Sequence, residues 1–297
     1  MENMQKKTFI KIAVSILLFA LIIWKFPVSN IIECVKNAKI GWVLLAFLLG
    51  ELIILSQAFR WHYLLIVPKE QKPELGSLLR YTAVGYLFNL LSPGGVGGDA
   101  YRSIALGKAH NVIASSVASV LAARMLGLLA LCLLFWIALP YTEQIPKQAV
   151  WFMAVITLLL MIFFLCVIFN RFKKGKFGEF AEKLREYRKY PLRLVAAMFG
   201  SIFMQILVVL MQWSFFKAVD VSVPWSLVFA IVPITALLST IPVSFNGIGV
   251  REWSYLSLTA YAINSEQMIA SVLLGYAVVI LQAAQGAIFL HYPHKKR

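Results

Sequence analysis

Five stretches of this chain, roughly 41–67, 112–139, 148–169, 194–219 and 268–290, are each apolar for at least the ~20 residues that a bilayer-crossing helix needs. Residues 8–26 make a sixth, shorter but sufficient, with a basic start at Lys6, Lys7 and Lys11. No small-residue cleavage site accompanies Trp24-Lys25-Phe26-Pro27, so this stretch reads as an uncleaved first span. Composition agrees: 61% of residues are hydrophobic, 14% are charged and mean hydropathy is +0.80. A chain with so little charge cannot cover itself for water, and lipid is the solvent it is built for. The expectation is an all-α polytopic membrane protein, one transmembrane domain over residues 1–297.

Two further apolar runs behave differently. Residues 77–91 lead into Ser92-Pro-Gly-Gly-Val-Gly-Gly-Asp99, and residues 226–241 lead into Pro242-Val-Ser-Phe-Asn-Gly-Ile-Gly249. At ~1.5 Å per residue each run reaches about 22–24 Å, short of the ~30 Å hydrocarbon core. Charge then decides topology. The segment 171–193 carries nine basic residues against three acidic ones, and the N-terminus and Lys295-Lys296-Arg297 are basic too. All three belong on the cytoplasmic side. Six full spans with two re-entrant hairpins satisfy this. They put both termini, 68–76, 100–111 and 170–193 inside, and 28–40, 140–147 and 220–225 outside. The alternative, eight spanning helices, sends 170–193 outside whenever the N-terminus is inside.

An internal repeat follows. A shift of 149 residues aligns Ser77-Leu78 with Ser226-Leu227, Pro93 with Pro242, Gly98 with Gly247 and Arg102 with Arg251, five identities in 26 positions. The flanking spans superpose as well, giving pseudo-repeat halves of about 1–147 and 148–290. The first hairpin would enter from the cytoplasm and the second from outside. Such an inverted repeat with interrupted apolar segments at matching places points to a transporter's binding site.

Irregular backbone at membrane depth survives only where protein or a polar cavity surrounds it. Gly94, Gly95, Gly97 and Gly98 therefore mark a sharp turn or a close approach, as do Asn246, Gly247 and Gly249. Free N–H groups in such a loop and at the next helix start would form an anion site. Arg102 and Arg251 follow their loops at matching positions and are suited to grip a phosphate bidentately; alternatively Asp99 and Glu252 merely neutralise them. Arg124 lies deep in its span, where an arginine must face the protein interior or a wet cavity. Arg60, beside Trp61 and Tyr63, fits either that role or an interfacial anchor. Glu51 is mid-span and needs a partner, for which Arg124 is the candidate. Gln57, Asn89, Gln205, Gln212, Gln282 and Gln285 are expected to form interhelical hydrogen bonds.

Other chemistries lack support. Cys34, Cys132 and Cys166 form no CxxC pair, and the histidines form no HExxH, so neither a disulfide framework nor a metal site is expected. Gly95–Ala100 matches a GxGxxA fingerprint, but an apolar helix rather than a strand precedes it, so no dinucleotide cofactor is expected. A net charge of +15 would suggest nucleic acid in a soluble protein. Here the basic residues have a membrane-topology role, and no nucleic-acid partner is expected. Nothing in the sequence makes a positive case for catalysis.

The two Gly motifs running to Arg102 and Glu252, with Arg60-Trp61 and a mid-helix Arg124, resemble the transmembrane-domain family of lysylphosphatidylglycerol synthases, the flippase-like domain proteins. The resemblance implies a bacterial cytoplasmic membrane location and a domain that moves an aminoacylated lipid between leaflets. In full-length family members a separate soluble domain makes that lipid from aminoacyl-tRNA. This sequence runs to Arg297, soon after the last apolar stretch, so a short form without that domain is expected. The leading expectation is a translocator of a phosphate-bearing lipid (aminoacyl-phosphatidylglycerol, glycolipid or polyprenyl phosphate), its headgroup contacting the arginines and glycines named above. The alternatives are a lipid-modifying transferase, phosphatidylglycerol lysyltransferase by the family's label, and a scaffold for a separately encoded transferase.

Overall fold

In the computed structural model the described residues are 17, 18, 20–90, 92, 94–142, 145–169, 182, 184–241, 244, 246–259 and 264–291. They are predominantly helical, with no strand among them. Five helices are long and apolar enough to cross a membrane: α2 (Ile40–Leu64), α5 (Ile113–Ala138), α6 (Lys147–Ile168), α7 (Pro191–Ala218) and α10 (Ser265–His291). The chain is thus a multi-pass helical membrane protein. Of the expected span 8–26, residues 17, 18 and 20–25 are helical, Phe26 forms a bend, and the rest lies outside the described residues.

Proline sets several helix starts. Pro191 is the first residue of α7, where its missing N–H costs nothing. Pro146 and Pro224 stand immediately before α6 and α8 (Trp225–Thr240), each with φ −58°, and a proline there cannot continue a preceding helix. One start falls where a loop was expected. Pro27 opens α1 (Val28–Lys36), a nine-residue amphipathic helix inside the 28–40 connection.

The remaining elements form two helical hairpins. The first pairs α3 (Leu75–Leu90) with α4 (Gly97–Ala109), and the second pairs α8 with α9 (Val250–Thr259). Residues 100–109, expected as a cytoplasmic connection, are therefore the returning leg of the first hairpin. The misreading has a physical source: Arg102, Ser103 and Gly107 are buried in α4, so its inner face carries no apolar stripe. The legs lie very close. A Cβ on Gly98 would stand 2.2 Å from the Gly85 carbonyl oxygen, so only glycine fits there. Further along, the Phe88 and Tyr101 rings stack with centroids 4.5 Å apart.

Contacts define two ends of the molecule. At one end Trp61, Leu65, Leu78 and Leu106 share a core cluster, and Tyr187, from the basic 171–193 segment, donates to the Leu64 carbonyl. Burial pushes the Tyr187 phenol upward, which keeps that donor protonated. Most of 171–183 lies outside the described residues, and Arg193 belongs to the first turn of α7 rather than to a loop. At the other end Lys39 pairs with Asp220, and the Lys39 N–H donates to the Ala218 carbonyl at 2.8 Å. The first hairpin opens toward the Tyr187 end and the second toward the Lys39 end. Their turns meet inside, where the Gly94 N–H donates to the Ser244 carbonyl at 3.3 Å. The core is centred on α8, with Leu227, Val228, Ala230, Ile231, Val232 and Ile234 almost wholly enclosed. By contrast, α6 packs mainly on α5, where Trp136 Nε1 donates to Thr157 Oγ1 at 3.0 Å, and it exposes Trp151, Leu158, Leu159 and Met161.

Candidate functional site

Where the hairpin turns meet, helices α2, α3, α4, α5, α7, α8, α9 and α10 line a partly open cavity of about 400 Å³. Its charged lining consists of Arg60, Asp99, Arg102, Arg124 and Arg251. Gly94, Gly95 and Asn246 also line it, whereas Gly97, Gly98, Gly247, Gly249, Glu252 and Glu51 do not.

Asp99 holds two arginines at once. Arg102 Nη2 lies 2.8 Å from one carboxylate oxygen and Arg124 Nη1 lies 2.7 Å from the other. This corrects the expected Arg124–Glu51 pairing. Glu51 instead faces Gln285, whose amide nitrogen, turned toward it, donates to both carboxylate oxygens at 3.2 Å. The guanidinium of Arg102 also lies over the Trp61 ring, 5.2 Å from its centroid. Only 3% of Arg102 is exposed, yet its Nε and Nη1 have no partner among the described residues.

Arg60 is 4% exposed, which places it in the interior rather than at an interfacial anchor. Its Nη1 donates to Ser201 Oγ at 3.0 Å, and its Nε has no partner. Arg251 makes no ion pair among the described residues and sits 5.5 Å from the Tyr276 ring centroid. It forms no ion pair with its neighbour Glu252. The Glu252 carboxylate is fully buried and accepts from the Gly249 N–H at 2.9 Å and the Tyr276 hydroxyl at 3.3 Å. Adjacent helical residues point about 100° apart, so such a pair cannot readily meet.

The first glycine loop does not form the expected cradle of free N–H groups. Gly94 donates to Ser244, Gly95 to the Ser92 carbonyl, Gly97 to Ser92 Oγ and Gly98 to Asn89 Oδ1. Ser92 and Asn89 act as caps, satisfying the exposed N–H groups of the α4 start. The glycines serve shape instead. Gly94 and Gly95 have φ of 64° and 62°, and Gly247 and Gly249 have 77° and 83°, the left-handed region that side chains resist.

Residues 8–284 match the family described as the lysylphosphatidylglycerol synthase TM region. The chain belongs to this family. No curated protein and no solved structure matches it.

Several polar residues of this family member, expected only as interhelical hydrogen bonds, also line the cavity: Gln57, Asn89, Gln205, Gln212 and Gln282. Spacing carried a usable signal for two pairs. Gln57 and Arg60 are three residues apart on α2, and Gln205 and Gln212 are seven apart on α7, so each pair shares a helical face. Tyr86, Thr235, Ser239 and Tyr255 line the cavity with no such signal. The charges are unevenly shared between the halves of the chain. Arg60, Asp99, Arg102 and Arg124 come from the first half, and Arg251 alone comes from the second. Under the 149-residue shift, Arg60, Asp99 and Arg124 correspond to Val209, Ile248 and Leu273.

Proposed function

We propose that the cavity receives the phosphate-bearing headgroup of a membrane lipid and that the protein moves this lipid between leaflets. One observation carries the reading: four arginines and a single aspartate among the described lining residues converge on a partly open cavity where two broken helical hairpins meet turn to turn. Burying this much cationic charge at membrane depth is costly unless an anion compensates it. Phosphate oxygens match the planar fork of arginine, and the lipid's tails can remain in the bilayer. The two hairpins open toward opposite ends, which supports an inverted repeat of two re-entrant segments and alternating access around a fixed site.

The test is transport in proteoliposomes. Purified full-length protein should accelerate transfer of a headgroup-labelled anionic phospholipid between leaflets, measured against protein-free vesicles. Transfer no faster than in those vesicles would refute the translocator reading.

The basic residues of 171–193 and the cationic termini support an orientation with the Tyr187 end and both termini in the cytoplasm. In a variant freed of its three native cysteines, Ser222→Cys should react with an impermeant thiol reagent in intact cells. Lys69→Cys should react only after the cells are opened. The reverse pattern would invert the orientation.

A further inference from the structure

Charge balance in the cavity narrows the class of headgroup, an inference that rests on the lipid-binding reading above. Arg60, Arg102, Arg124 and Arg251 against Asp99 leave the lining with a net charge of +3. Among the described residues no other Asp, Glu or Lys lines the space; Glu51 faces Gln285, and one oxygen of Glu252 accepts from Gly249 and Tyr276. The hydrogen-bond inventory leans the same way. Arg60 Nε, Arg102 Nε and Nη1, and Gln282 Nε2 are buried donors without a partner, on residues no more than 4% exposed. Both oxygens of the one carboxylate are already occupied by arginines.

The cavity therefore carries an excess of positive charge together with unpartnered donors. A lysyl-bearing headgroup would add to both. Its two ammonium groups would bring six more N–H donors and two positive charges, with Asp99 the one carboxylate among the described lining residues to balance them. A phosphodiester such as phosphatidylglycerol brings one negative charge. A terminal phosphomonoester brings close to two at neutral pH, and a diphosphate brings at least two, with more oxygens for the unpartnered donors.

We infer that the cavity selects a lipid whose headgroup is a phosphomonoester or diphosphate carrying about two or more negative charges, and that it disfavours aminoacylated lipids. Lipids of this class include diphosphate-linked polyprenols.

The experiment measures binding to full-length protein in detergent by native mass spectrometry. The probes are polyprenyl diphosphate, phosphatidic acid, phosphatidylglycerol and lysyl-phosphatidylglycerol, with inorganic pyrophosphate as the tail-free control. The two doubly charged lipids should bind at least about tenfold more tightly than phosphatidylglycerol, and lysyl-phosphatidylglycerol should bind most weakly. Arg251→Gln, which removes a charge and breaks no ion pair among the described residues, should shrink the preference for the doubly charged lipids several-fold. Equal binding of all four lipids, with loss in Arg251→Gln, would overturn the selectivity while leaving the lipid-binding reading intact. Tightest binding of the lysyl lipid would do the same. Pyrophosphate binding as tightly as polyprenyl diphosphate would assign the site to a soluble anion and overturn the lipid class. If no probe binds, both readings fall.

Discussion

Arg251→Lys is expected to slow lipid transfer at least about tenfold while leaving the melting temperature of the detergent-solubilised protein unchanged. Arg251 lines the cavity and has no ion-pair partner among the described residues, so lysine strands no buried carboxylate. The charge survives the change and the planar fork does not. Losing one charge-assisted hydrogen bond to a phosphate costs about 1.5–3 kcal/mol, which corresponds to at least about a tenfold loss. Arg102→Lys provides the contrast. Arg102 is bound to Asp99 and stacked on Trp61, so its lysine variant should lose stability together with transfer. An Arg251→Lys protein that transfers lipid at the parental rate would remove Arg251 from the headgroup site.

Asp99→Ala is expected to have the largest effect on stability. Its carboxylate is the shared counter-charge of Arg102, whose side chain is 4% exposed, and Arg124, whose side chain is 27% exposed. Removing one member of a buried charge pair typically costs ~3–5 kcal/mol because the remaining charge is left uncompensated. Asp99 is itself 20% exposed, so about 3 kcal/mol is expected here, read as a marked drop in melting temperature. Arg124→Leu alone should be milder, because Asp99 keeps Arg102. The double variant Asp99→Ala with Arg124→Leu should recover part of the lost stability but none of the transfer. A melting temperature for Asp99→Ala equal to that of the parent protein would show that the triad is not structurally coupled.

The spanning helices were legible because hydropathy over some twenty residues is a direct statement about solvent, and the observed bounds fall within a few residues of the apolar stretches. The arginines were legible for the complementary reason: charge inside an apolar run demands compensation. Their partners were not. Asp99 lies 25 residues from Arg124 in sequence, and their meeting depends on how closely α4 folds back on α3, which is set by glycines rather than by any periodic pattern. Glu51 looked the better partner because it also lies mid-span. The loop glycines misled in chemistry though not in position. From sequence they offered free N–H groups, yet Ser92 and Asn89, one just before the motif and one in the helix leading into it, consume two of them.

The uneven division of charge between the halves has a mechanical corollary. If two repeats exchange conformations to turn a site from one leaflet to the other, identical halves would make the two states equal in energy. Here three of the four cavity cations and the only cavity anion belong to the first half, opposite Val209, Ile248 and Leu273 in the second. Swapping the conformations does not reproduce the same field. Under the proposed alternating access, the protein would thus carry a built-in preference for one facing state, set by its own residues before any gradient acts on it.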